Sequence, residues 1–183
     1  MRIFTFFVVA IAVIVLILVI IIKSITGGPI KPTINLNSYA SSSAVAELLI
    51  DGPVSANQTH QQIDVQVSNS NTYFAILNGY EGQVASSKTF ANNQAAFAVF
   101  LHALNLVGFT KGNTSPALSD YRGFCPDGDR YILSLTEGGD VIQKFWATSC
   151  GGQGTYGGDI QQTLGLFQGQ VPDYSDLTAN VVL

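Results

Sequence analysis

Twenty consecutive residues, from Ile3 to Ile22, carry no charge, and Thr5 holds their only hydrogen-bonding side chain. A helix needs about 20 apolar residues to cross a bilayer, because in hydrocarbon every backbone N–H and C=O must be bonded within the helix. A buried core helix of this length would normally keep a polar stripe, and this run has none. Arg2 and Lys23 bracket it at head-group level. The run is expected to be a transmembrane helix, making the membrane the first partner of the chain. The segment after Ile22, Lys-Ser-Ile-Thr-Gly-Gly-Pro, offers no small-x-small cleavage site and no cysteine for a lipid. Residues 1–23 therefore read as an uncleaved signal anchor. A plain cytoplasmic enzyme and a polytopic transporter are excluded.

Residues 24–43 contain Gly27-Gly28-Pro29, Pro32 and Ser41-Ser42-Ser43, the composition of a flexible linker. The remaining residues, 44–183, suffice for one domain with its own core. Beyond Lys31 there are five bases against twelve acids, a net charge of −7. That balance speaks against nucleic acid, which requires a basic footprint, and against docking on anionic lipid.

Residues 46–50 form a short apolar run ending at Asp51-Gly52-Pro53. Residues 60–68 alternate with a period of two: Ile63, Val65 and Val67 lie on one face, and Gln62, Asp64, Gln66 and Ser68 on the other. This is the pattern of a strand that is wet on one side. Ser68-Asn69-Ser70-Asn71 is turn chemistry, and residues 72–77 are the returning strand. The period then becomes helical over about 92–107, with Ala96, Phe100, Ala103, Leu104 and Val107 toward the core. Gln94, Ala98, His102 and Asn105 take the opposite face, Asn92 caps the start and Gly108 closes the end. Residues 130–136 and 141–149 flank Glu137-Gly138-Gly139-Asp140 as a hairpin. The expected fold is α+β: an N-terminal transmembrane helix, then a small antiparallel sheet packed with one main helix.

The two cysteines, Cys125 and Cys150, lie at nearly equal distances from the Gly138-Gly139 turn. Hairpin geometry brings such positions together at the open mouth, within the roughly 5.5 Å Cα separation of a disulfide. A structural bridge persists only in an oxidising compartment. The domain is thus expected outside the cytoplasm, an orientation that the balanced Arg2/Lys23 flanks leave open. The alternative is a catalytic thiol at Thr148-Ser149-Cys150-Gly151-Gly152, as in the cysteine transpeptidases of the bacterial wall. Their Ser-x-Gly-Cys-x-Arg pattern is absent, and of the two histidines His102 sits on the polar helix face with no acid beside it.

Gly152-Gln153-Gly154-Thr155-Tyr156-Gly157 spells Gly-x-Gly-x-x-Gly, but too near the chain end for the βαβ unit of a dinucleotide site. A glycine-rich turn packed on the sheet is expected instead, presenting Tyr156. Cys125-Pro126-Asp127-Gly128-Asp129 lacks the spacing of a calcium loop and reads as a tight turn. No metal set and no cofactor motif stands out. Trp146 and Tyr156 are the candidate contact residues, because aromatic side chains serve well against proteins and glycans.

An anchor helix, an antiparallel sheet and a late disulfide also describe a pilin-like surface subunit. Pilins, however, carry a glutamate in a helix preceded by a glycine-terminated leader, and neither feature occurs here. The residues point to a single-pass cell-membrane protein presenting an extracytoplasmic binding or envelope-interaction domain, with a protein or glycan partner at the cell surface and no catalytic set.

Overall fold

Alternating apolar residues in neighbouring segments form a ladder that buries one face. In the computed structural model, which describes residues 34–183 except Gln153, that ladder is a six-stranded sheet. Its strands are β1 (Ala44–Asp51), β2 (Gln61–Ser68), β3 (Asn71–Asn78), β4 (Gln83–Ala91), β5 (Arg130–Glu137) and β6 (Asp140–Thr148). Their spatial order is β4-β3-β2-β1-β5-β6, and every neighbouring pair is antiparallel. Three helices follow the sheet strands or interrupt them: α1 (Gln94–Leu106), α2 (Ile160–Gln168) and α3 (Tyr174–Thr178). The expected antiparallel sheet, main helix and late disulfide are present. The transmembrane helix expected at 3–22 lies outside the described residues. Among the described residues no helix is long and apolar enough to cross a membrane.

The core lies between one sheet face and the helices. Ala46, Leu48 and Ile50 of β1, Ile63, Val65 and Val67 of β2, and Leu133 and Leu135 of β5 meet Phe97, Phe100, Leu101 and Leu104 of α1 and Phe167 of α2. Phe100 and Phe167 pack edge to face, with ring centroids 5.2 Å apart. The helix stripe is rotated from its expected position: Phe97 and Leu101 are buried, while Ala96 is exposed. Burying a phenylalanine and a leucine removes far more apolar area from water than burying alanines, so packing selects the bulkier stripe. The cap is Asn93, whose Oδ1 accepts from Ala96 N at 3.0 Å. Asn92 instead donates to Ser68 O at 2.7 Å and pins the helix start to the β2–β3 turn.

The first described residues belong to the domain and not to a linker. A 3-10 helix at Leu36–Tyr39 starts from Asn35, whose side chain accepts from Asn37 N, and its Leu36 is fully buried in the core. It packs against α1. The Gly/Pro pairs before them and Ser41-Ser42-Ser43 after them read as a spacer, a composition that hides one well-placed leucine.

Strand β4 had no counterpart in the sequence reading. Gln83–Ala91 is exposed along almost its whole length, so it carries no hydrophobic alternation. Hydrogen bonds to β3 alone define it, and Lys88 together with a bulge at Ile76/Leu77 blunts this free edge against pairing with another chain.

Candidate functional site

The β5–β6 hairpin turns at Gly138 and Gly139, both at positive φ, the geometry of a two-residue hairpin loop. From that turn the register runs to Arg130↔Thr148, and just beyond it Cys125 and Cys150 are bridged, with Cα atoms 5.8 Å apart. Ser149 locks the mouth: its N donates to Asp129 O at 2.9 Å, and its Oγ accepts from Asp129 N at 2.8 Å. Gly128 has no substitute here, since a Cβ would stand 2.5 Å from Ser149 Oγ and 2.8 Å from Cys125 Sγ. The segment around Cys125-Pro126-Asp127-Gly128 is a tight turn, closed by Gly128 N to Cys125 O.

Trp146 stands on the sheet face away from the helices, opposite Ile132. A candidate contact residue in the sequence, it is only 3% exposed. The loop between α1 and β5 folds over it. Its Nε1 donates to Leu118 O at 2.7 Å, and the Phe124 ring lies against it at 4.9 Å. An indole is large enough that covering it removes more apolar area from water than any neighbouring side chain offers, which is why the loop closes here.

The glycine-rich segment clips along the outer edge of β6. Thr155 N and Tyr156 N both donate to Trp146 O at 2.9 Å, while Trp146 N donates to Thr155 Oγ1 at 2.9 Å. On its other side the segment pairs with residues 111–113, through Asn113 N to Thr155 O and Gly157 N to Lys111 O. Gly154 allows the approach, because a Cβ there would meet Trp146 O at 2.7 Å. Tyr156 is half-buried; its hydroxyl pairs with Thr163 Oγ1 at 2.7 Å, and burial raises its pKa. The structure thus brings the two candidate contact residues into one unit, as struts and not as free contacts. What the unit exposes is the space around them. A cleft of about 450 Å³ is lined by Leu118, Phe124, Trp146, Gly152 and Gly154. A second, of about 290 Å³, lies on the other side of the segment beside Thr148, Gly151 and Tyr156.

A buried ionic cluster supports this end of the sheet. Asp51 Oδ1 takes hydrogen bonds at 2.8 Å from His60 Nε2 and Gln62 Nε2. Arg130 Nε stands 2.9 Å from Asp51 Oδ2 with its N–H directed off the oxygen, so charge and not a hydrogen bond holds that contact. Arg130 Nη2 donates to Gly52 O. His60 Nδ1 faces Pro53 O at 3.1 Å, and its ring stacks on Tyr80 at 3.9 Å. Both ring nitrogens are thus engaged within the cluster. With both occupied, the buried His60 has no nitrogen left for a substrate. A hydrogen bond from Val54 N to Pro126 O then ties the β1–β2 loop to the disulfide turn.

The outer face of β2, expected to be wet, is buried at Gln62 and Asp64. Asp64 lies between Leu49 and Ala75 in register, one Oδ2 bond from Gln66 at 2.7 Å, and its Oδ1 has no partner. Burial, with help from Glu47, raises its pKa to about 7, against the pull of Gln66. Period-two alternation identifies the face but cannot say how much of it neighbouring strands cover.

Cys150, the thiol of the transpeptidase alternative, has its sulfur in the bridge to Cys125, and no free cysteine exists among the described residues. His102 is exposed on α1. Comparison with protein-family models, with curated proteins and with solved structures returns no match.

Proposed function

We propose that the protein is a single-pass membrane protein presenting an extracytoplasmic binding domain, whose recognition surface is the disulfide-closed end around Trp146. The observation that carries this reading is the cleft between Leu118, Phe124 and the glycine segment, built on a bridged hairpin mouth. A disulfide this close to the surface persists where the medium is oxidising, which supports placement outside the cytoplasm. Apolar walls and a floor of bare glycine backbone suit an apolar side chain of a partner polypeptide laid along the loop. A catalytic Cys150 would require the bridge to be reduced first, so binding is the better reading.

The test is site-specific photocrosslinking in intact cells. A crosslinker in place of Leu118, which lines the cleft, reports it, and one in place of the exposed Val141 beside the hairpin turn serves as control. The reading expects one discrete adduct from position 118, none from position 141, and loss of the adduct in Phe124→Ser. Equal labelling from both positions, or an adduct indifferent to Phe124, would overturn it.

A further inference from the structure

We propose that the outer face of α1 rests on the lipid surface in which the chain is anchored, so that the domain is held down on the membrane. The proposal builds on the anchor reading of residues 3–22. Along α1 the exposed residues Ala95, Val99, His102 and Leu106 follow a 4-3-4 spacing, which puts them on one stripe opposite the buried Phe97, Phe100, Leu101 and Leu104. Val99 is 70% and Leu106 72% exposed, among the largest apolar exposures in the domain. A helix that is apolar on both sides is normally covered on both.

Charge and tether length identify the cover. Residues 89–110 hold no Asp, Glu, Lys or Arg, in a domain whose net charge is −7. Laying this neutral stretch on lipid therefore desolvates no charged side chain of its own. The described chain begins at Ile34, next to the 3-10 helix that packs against α1. Only residues 23–33 separate it from the end of the apolar run, a reach of about 40 Å even fully extended. A short tether rooted beside α1 keeps that stripe at high effective concentration near lipid, so that a weak contact suffices. A second copy of the chain is the poorer occupant. Two large apolar side chains on a 13-residue helix fall well short of the roughly 800 Å² per partner of a stable interface.

The experiment uses the full chain in phosphatidylcholine vesicles, plain or with bromine-labelled acyl chains, and a tryptophan introduced by Val99→Trp or, separately, Leu106→Trp. Both positions are exposed, so either variant is expected to fold. Val54→Trp, in the β1–β2 loop at the disulfide end, is the control. Flotation with the vesicles first tests the anchor. The expected result is co-flotation, with about a twofold loss of the added emission in brominated vesicles at 99 and 106, the depth reached by an interfacial apolar face, and no loss at 54. Co-flotation with equal quenching at 54 and 99 overturns the docking and leaves the anchor standing. Unquenched 99 and 106 together with crosslinking between copies assigns the stripe to self-association and also overturns it. A chain that does not float removes the anchor reading and the docking with it.

Discussion

Trp146 and Thr155 hold each other in a closed pair: the Trp146 N–H reaches Thr155 Oγ1 at 2.9 Å, and the Thr155 N–H returns to Trp146 O at 2.9 Å. This pair turns a flexible glycine segment into the wall of a cleft. Both residues are buried, so a group left alone here is not rescued by water. Thr155→Val keeps the shape and removes only the acceptor for the Trp146 N–H. The expected cost is about 1–3 kcal/mol, the penalty of one unsatisfied buried donor. Trp146 is the only tryptophan, so the urea unfolding curve of the full chain, followed by its fluorescence, measures the loss directly.

The disulfide should contribute stability in proportion to the loop it closes. The bridged residues are 25 apart in sequence, which in the chain-entropy model corresponds to about 3.5 kcal/mol. The double variant Cys125→Ser, Cys150→Ser is expected to unfold at lower urea by that amount. It should retain the sheet, since the Ser149–Asp129 bonds still close the hairpin mouth. Circular dichroism of the variant, alongside the wild type with and without reductant, separates the entropic effect from a collapse of the fold.

Two Asp–Arg pairs of the same chemistry should behave oppositely. Asp51 is buried with Arg130, His60 and Gln62, whereas Asp120 and Arg122 pair at 2.8 Å in open solvent. Asp51→Ala leaves a guanidinium and an imidazole buried without their anion, a situation that costs about 3–5 kcal/mol. Asp120→Ala is expected to leave the unfolding midpoint unchanged, because an exposed ion pair gains little over hydration. Parallel denaturation of the two variants checks both statements.

The apolar alternation of Ile63, Val65 and Val67 made β2 legible, and the Gly138-Gly139 turn with equal arms made the bridged hairpin legible. In each case a short-range pattern dictates a short-range structure. Strand β4 was not legible, because an exposed edge strand needs only ladder bonds from one neighbour and no hydrophobic code. The surroundings of Trp146 and Tyr156 were less legible: the structure covers the first and half-buries the second, and whether Trp146 is presented or covered depends on a loop 20–30 residues away in sequence. That loop carries Leu118 and Phe124, whose meeting with Trp146 no local pattern announces.

Asp64 couples the sheet to pH near neutrality. Its pKa is raised from 3.8 to about 7, first by burial and second by Glu47. Between those two values the folded chain binds more protons than the unfolded chain, so stability falls as pH rises across that window and levels off above it. A shift of this size corresponds to about 4 kcal/mol over the full range. Asp64→Asn removes the titration while keeping the shape and the contact with Gln66. The variant is therefore expected to match the wild type near pH 4 and to exceed its stability increasingly up to pH 7. Urea midpoints at half-unit intervals test this, and parallel curves for the two proteins across the window would show that Asp64 titrates alike in both states. Glu47→Gln provides the second measurement: removing its charge should lower the Asp64 transition toward the ordinary carboxylate range without abolishing it, because burial is the larger cause.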